Sequence, residues 1–124
     1  MAGKRILLVE DESIVRETLR LMLRKDGHTV LEANNGIEAL SAFRRERFDL
    51  VLIDFQIPFL KGDELAVKLK QISPHQPLLM LTGQGRSLGP DNPVDAVLQK
   101  PFDLDGLRQA IAKLIPDPEE GVAA

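Results

Sequence analysis

Four short apolar runs, Ile6–Val9, Leu50–Ile53, Leu78–Leu81 and Ala96–Leu98, are continuous rather than alternating. A strand with one face in water alternates apolar and polar residues, whereas a strand covered on both faces does not. The runs therefore predict buried strands of a parallel sheet. A weaker run, Thr29–Ala33, contains Glu32 and predicts an edge strand.

Helical patterns lie between the runs. After Ser13, read as an N-cap, Val15, Leu19, Met22 and Leu23 form one helical stripe, and Gly27 stands where a helix-terminating glycine belongs. A second helix is expected from about Gly36 to Glu46, with Ala39, Leu40 and Phe43 inward. A third carries Leu65, Leu69 and Ile72, has Asp63 and Glu64 in its first turn, and stops before Pro74. The last carries Leu104, Leu107, Ile111 and Leu114, with Asp103 as N-cap and Pro116 as terminator. Residues 83–93 hold three glycines and two prolines, so a loop with one helical turn at most is expected there. Strand and helix alternate, which argues for a doubly wound α/β fold, a five-stranded parallel sheet with helices on both faces. Residues 1–116 are read as one domain and 117–124 as a flexible tail.

Composition removes several function classes. With no cysteine among 124 residues, there is no disulfide scaffold, thiolate nucleophile or Cys-ligated metal. His28 and His75 are the only histidines and are read as surface residues, so a multi-histidine zinc site is not expected. Sixteen basic against 19 acidic residues give a net charge of −3, which predicts no direct contact with nucleic acid. The apolar runs are too short for a membrane helix and no signal peptide is read at the N-terminus, so the expected compartment is the cytoplasm. Phe43, Phe48 and Met22 are read as core.

In an open α/β sheet, ligands bind beyond the carboxyl ends of the strands. Those ends are Glu10-Asp11-Glu12, Asp54, Thr82-Gly83 and Lys100-Pro101. If all strands are parallel, one edge of the molecule collects carboxylates, a hydroxyl and an ammonium. Clustered carboxylates need a counter-charge, and oxygen ligands of this kind suit Mg²⁺. The lysine, the hydroxyl and a glycine N–H suit phosphate oxygens. Together they describe a phosphoryl-transfer site with a carboxylate nucleophile.

Taken with their surroundings, these segments resemble the receiver domain of two-component response regulators over roughly residues 4–115. The segments are Ile6–Glu12, Ala33–Leu40, Asp49–Pro58 with Gly62, Leu81–Gly83 and Lys100–Phe102. The resemblance implies a flavodoxin-like strand order, 2-1-3-4-5. It implies that Asp54 is the phosphoacceptor and that Asp11 ligates Mg²⁺ directly, with Glu10 acting through water. The Gln56 carbonyl would complete the metal shell. Thr82 and the Gly83 N–H would meet phosphoryl oxygens, and Lys100 would pair with the phosphoryl group. Pro101 would hold its turn, in the family often through a cis bond. The implied function is a signalling receiver rather than a conventional enzyme. It takes a phosphoryl group from a histidine kinase or phosphotransfer protein, catalyses its own phosphorylation and dephosphorylation, and switches binding to an output partner. Phe55 and Phe59 flank the site and would face the kinase.

Two departures from the family stand out. The stretch where members carry a full fourth helix is short and rich in Gly and Pro, so that helix is expected to be shortened or absent. Val97 occupies a position that is commonly aromatic. They keep open a second reading, a receiver-like docking module that signals without phosphorylation. A flavin binder shares the fold class, but the chain has no Trp or Tyr to stack the ring, and an acidic crevice would repel its phosphate. No DNA-binding module follows residue 115, so the expectation is a stand-alone regulator or a receiver taken from a longer protein.

Overall fold

The computed structural model describes residues 3–83 and 91–116. Five strands, β1 (Arg5–Val9), β2 (Thr29–Ala33), β3 (Leu50–Asp54), β4 (Leu78–Thr82) and β5 (Ala96–Gln99), form one sheet in the order β2-β1-β3-β4-β5. All four pairings are parallel. Four helices are present among the described residues: α1 (Ser13–Lys25), α2 (Gly36–Arg45), α3 (Gly62–Ile72) and α4 (Leu104–Leu114).

The continuous apolar runs have a simple origin. Successive side chains of a strand point to opposite faces. Leu7, Val9, Val51, Ile53, Leu78 and Met80 pack with Ala39, Phe43, Leu65 and Leu69 of α2 and α3. The alternate residues Ile6, Leu8, Leu50, Leu52, Leu79 and Leu81 pack with Leu19, Leu23, Leu107 and Ile111 of α1 and α4. Every residue of the central strands β3 and β4 is buried. Phe43 and Phe48 are core, and Met22 packs against it.

The edges differ from the centre. β2 is an edge strand as expected. β5 is the other edge, and its run is not buried on both faces: Ala96 and Leu98 pack inward while Val97 is 45% exposed. With only β4 as a neighbour, its outer side chains meet solvent.

Helix ends follow local chemistry. Asn35 caps α2 by accepting the Glu38 N–H at 2.9 Å, and the Glu38 carboxylate accepts the Asn34 N–H at 3.1 Å. Asp103 caps α4 through the Gly106 N–H at 2.8 Å. Gly27 follows α1 with φ of 89°, the left-handed conformation a glycine adopts without strain. Ser13 is not the cap of α1. The extended residue is Glu12, whose carbonyl accepts the Arg16 N–H, so Ser13 is already helical. Ile72, in the last turn of α3, is 45% exposed rather than core.

His28 is also corrected: it is buried, because β2 starts beneath the N-terminal segment, and its Nδ1 accepts the Lys4 N–H at 3.0 Å. Burial holds its pKa below the usual histidine value. His75 is exposed as expected.

Among the described residues no helix lies between β4 and β5. Gly83 and residues 91–93 of the expected loop are non-helical, and 84–90 lie outside the described residues, as does the tail 117–124.

Candidate functional site

Parallel pairing brings the strand ends to one edge of the sheet. Asp54 ends β3 and is 5% exposed, while Glu10 follows β1 and is fully buried. Asp11, next in the chain, is exposed. Oxygens of Glu10, Asp11 and Asp54 lie within 4.8 Å of one another. Lys100, just beyond β5, places Nζ 3.4 Å from Asp54 Oδ1 and 3.7 Å from Glu10 Oε1. The Lys100 N–H donates to the Thr82 carbonyl at 2.8 Å, which ties the ends of β4 and β5 together. The Lys100–Pro101 bond is cis.

Thr82 follows Leu81, the register partner of Asp54 across β3 and β4. Its Oγ1 is buried without a hydrogen-bond partner, and so is Glu10 Oε1. Buried polar atoms are normally paired. A buried hydroxyl without a partner, and an unbonded oxygen on one of the three clustered carboxylates, suit an oxyanion and a cation respectively. Gly83 is exposed next to Thr82. The Gln56 N–H reaches Asp54 Oδ1 at 3.4 Å, and Gln56 itself is exposed.

Electrostatics carry the same message. The Glu10 carboxyl is raised from 4.5 to about 8, first by burial and then by the adjacent Asp54 carboxylate. One ammonium faces two buried carboxyl groups and a third at the mouth, so ionising all three together calls for a further cation. The donor set is all oxygen, as Mg²⁺ requires, so the residues present fit that ion.

The loop that follows Asp54 is backed tightly. The Phe55 N–H bonds the Leu81 carbonyl at 2.8 Å, and the Gly62 N–H bonds the Phe55 carbonyl at 3.2 Å. A Cβ on Gly62 would lie 2.8 Å from the Asp54 carbonyl oxygen and 2.9 Å from Phe55 Cα. Both neighbours are backbone and cannot swing aside. Gly62→Ala would gain up to about 1 kcal/mol of helix propensity. The overlap costs about 1–3 kcal/mol and is expected to dominate. A lower urea midpoint for Gly62→Ala checks this; a midpoint at or above wild type would show that the loop can yield.

Two residues near the site escaped the sequence reading. Lys61 lines a shallow cavity with Asp11, Phe55, Gln56, Ile57 and Pro58. Arg16, in α1, donates Nη1 to the carbonyls of Glu10 and Asp11. In the sequence nothing sets either apart from the other lysines and arginines.

The model of the response regulator receiver domain family matches residues 6–112. The chain belongs to this family, which serves two-component signalling. The receiver is 32% identical over 120 residues to sporulation initiation phosphotransferase F of Bacillus subtilis (strain 168), covering 94% of this chain and 97% of that protein. It is 38% identical over 115 residues to the response regulator MprA of Mycobacterium leprae (strain TN), covering 90% of this chain but only 50% of that protein. Among solved structures, the response regulator TrrA of Thermotoga maritima, in complex with Mg²⁺ and BeF, superimposes with a TM-score of 0.85 at 32% identity. That match covers 90% of the receiver and 99% of TrrA. The flavodoxin-like strand order expected from the resemblance is the order found.

Proposed function

We propose that this receiver accepts a phosphoryl group on Asp54 from the phosphohistidine of a histidine kinase or phosphotransfer protein. The observation that carries the reading is a buried Asp54 carboxylate with Lys100 Nζ at 3.4 Å and the acids Glu10 and Asp11 beside it. An Asp54 oxygen attacks phosphorus, the P–N bond to the donor imidazole breaks, and the imidazole leaves with its electron pair. Lys100 pairs with the incoming phosphoryl oxygens. The Thr82 hydroxyl and the Gly83 N–H donate to the same group. Glu10, Asp11, Asp54 and the Gln56 carbonyl would hold Mg²⁺, which supplies positive charge against the phosphoryl dianion. In this reading the receiver itself lowers the barrier to its phosphorylation and to hydrolysis of the acyl phosphate.

The kinase would approach over the β3–α3 loop, where Phe59 is 80% exposed, and the start of α1, where Ile14 is 79% exposed. No helix among the described residues is long and apolar enough to cross a membrane, and we place the receiver in the cytoplasm. Residues 1–116 would be the receiver unit and 117–124 a tail.

Intact-mass analysis after incubation with acetyl phosphate tests the reading. One added phosphoryl group with Mg²⁺ and none without it is the expected result. No adduct under either condition, with no binding of beryllofluoride by the folded protein, would overturn it and leave the docking-module reading.

A further inference from the structure

We infer that Arg16 is a positioning residue that holds the acidic loop in its metal-binding shape, braced from the edge strand by Glu32. This rests on the proposed Mg²⁺-dependent function and adds a residue to it.

After β1 the chain leaves the sheet and carries two of the three clustered acids on consecutive residues. The Glu10 N–H is anchored to the Ala33 carbonyl at 3.1 Å. The next two carbonyls are met by a side chain: Arg16 Nη1 lies 3.0 Å from the Glu10 oxygen and 3.4 Å from the Asp11 oxygen. One N–H-bearing group thus sets the orientation of both peptide planes, and with them the directions in which the Glu10 and Asp11 side chains leave the chain. Asp11 is exposed, so packing does little to orient it.

An ordinary surface ion pair would look different. The Arg16 side chain is only 18% exposed, and its shortest contact is to backbone rather than to a carboxylate. Its other side faces Glu32 Oε2 at 3.7 Å, and Glu32 Oε1 in turn is 3.0 Å from Arg20 Nε. Glu32 sits opposite Leu8 in the β1–β2 register, two residues before Glu10. The brace therefore runs from β2 through Glu32 to Arg16 and on to the acidic loop. The planar guanidinium can serve Glu32 and the carbonyls together, which a lysine ammonium cannot do in the same geometry.

Residues that orient metal ligands typically change affinity by about 10–100-fold when removed. Arg16→Met keeps the aliphatic stem and removes the guanidinium. Its Mg²⁺ dissociation constant, measured by calorimetry at fixed pH, is expected to rise about tenfold. Arg16→Lys restores one donor and should recover part of that loss, and Glu32→Gln should fall between wild type and Arg16→Met. The thermal midpoint of each metal-free variant is measured beside the affinity. A merely structural Arg16 would lower the midpoint and leave Mg²⁺ affinity within about twofold of wild type, and that outcome overturns the inference. Should Arg16→Met fail to fold, Glu32→Gln decides: weakened Mg²⁺ binding supports the brace and unchanged binding overturns it. Wild type that binds no Mg²⁺ would instead overturn the proposed function, and the brace with it.

Discussion

Asp54→Asn is expected to lose the phosphoryl adduct entirely and yet, at a pH above about 8 and without Mg²⁺, to be more stable than wild type. The first half follows from chemistry. An amide cannot form the acyl phosphate, and if Asp54 is the acceptor no neighbouring carboxylate should substitute for it. The second half follows from charge. Glu10 and Asp54 are both buried, and Lys100 is within 4 Å of each, so one ammonium serves two acids. Two like charges 4 Å apart repel by about 4 kcal/mol at an effective dielectric of 20, an upper bound on what removing one of them can return. Asparagine keeps the shape and discards the repulsion, at the cost of the Asp54–Lys100 pair. A net gain of about 1–2 kcal/mol is expected in chelator at pH 8.5, where Glu10 is largely ionised. The gain should grow with pH: below pH 8 Glu10 is largely protonated and repels little, while above it Glu10 carries its charge beside Asp54. Intact mass after acetyl phosphate and urea midpoints at pH 5 and 8.5 measure the two halves. A retained adduct would move the acceptor to another carboxylate. A lower midpoint for Asp54→Asn at pH 8.5 would mean that the ion pair of Asp54 with Lys100 outweighs the repulsion from Glu10.

That trade of stability against function also bears on what the amino-acid order reveals. The central strands were legible because Leu50–Ile53 and Leu78–Leu81 are buried on both faces, and such burial leaves a continuous apolar run. Ala96–Leu98 carries the same kind of run, yet β5 lies at an edge and Val97 is half exposed. Three residues are too few to separate a two-sided strand from a one-sided one. The site was legible for a topological reason. Once the strands are parallel, whatever polar residue ends each run must arrive at the same edge, and Glu10, Asp11, Asp54 and Lys100 do. Arg16 was not legible, because its partners are backbone carbonyls, which every residue has. Only the turn between β1 and α1 brings them within reach. His28 was missed for a similar reason. Its hydrogen-bond partner is the Lys4 N–H, 24 residues away in the chain, and a lone histidine before a strand carries no sign of that contact.

The second large effect is a coupling between Mg²⁺ and protons. In the metal-free protein Glu10 titrates at about 8, well above its ordinary 4.5, because burial and Asp54 disfavour its charge. A carboxyl whose pKa is raised by folding stabilises the fold most fully below the unfolded value, and that contribution is lost as pH rises through the folded value. The metal-free protein should therefore lose stability between about pH 4.5 and 8, on the order of a few kcal/mol, and Glu10→Gln should flatten that slope. A carboxylate acting on a metal shell, directly or through water, does so ionised, so binding Mg²⁺ near neutral pH should expel the Glu10 proton. Calorimetry in buffers of different ionisation enthalpy should find close to one proton released per ion at pH 7, and almost none above pH 9. Affinity should accordingly rise about tenfold per pH unit below pH 8 and then level off. Glu10→Gln should bind more weakly and release no proton over the same range. Proton release that persists in Glu10→Gln would assign the titration to another group. An affinity independent of pH between 6 and 8 would mean that Glu10 is already ionised before the ion arrives, with Lys100 satisfying it more fully than its 3.7 Å separation suggests.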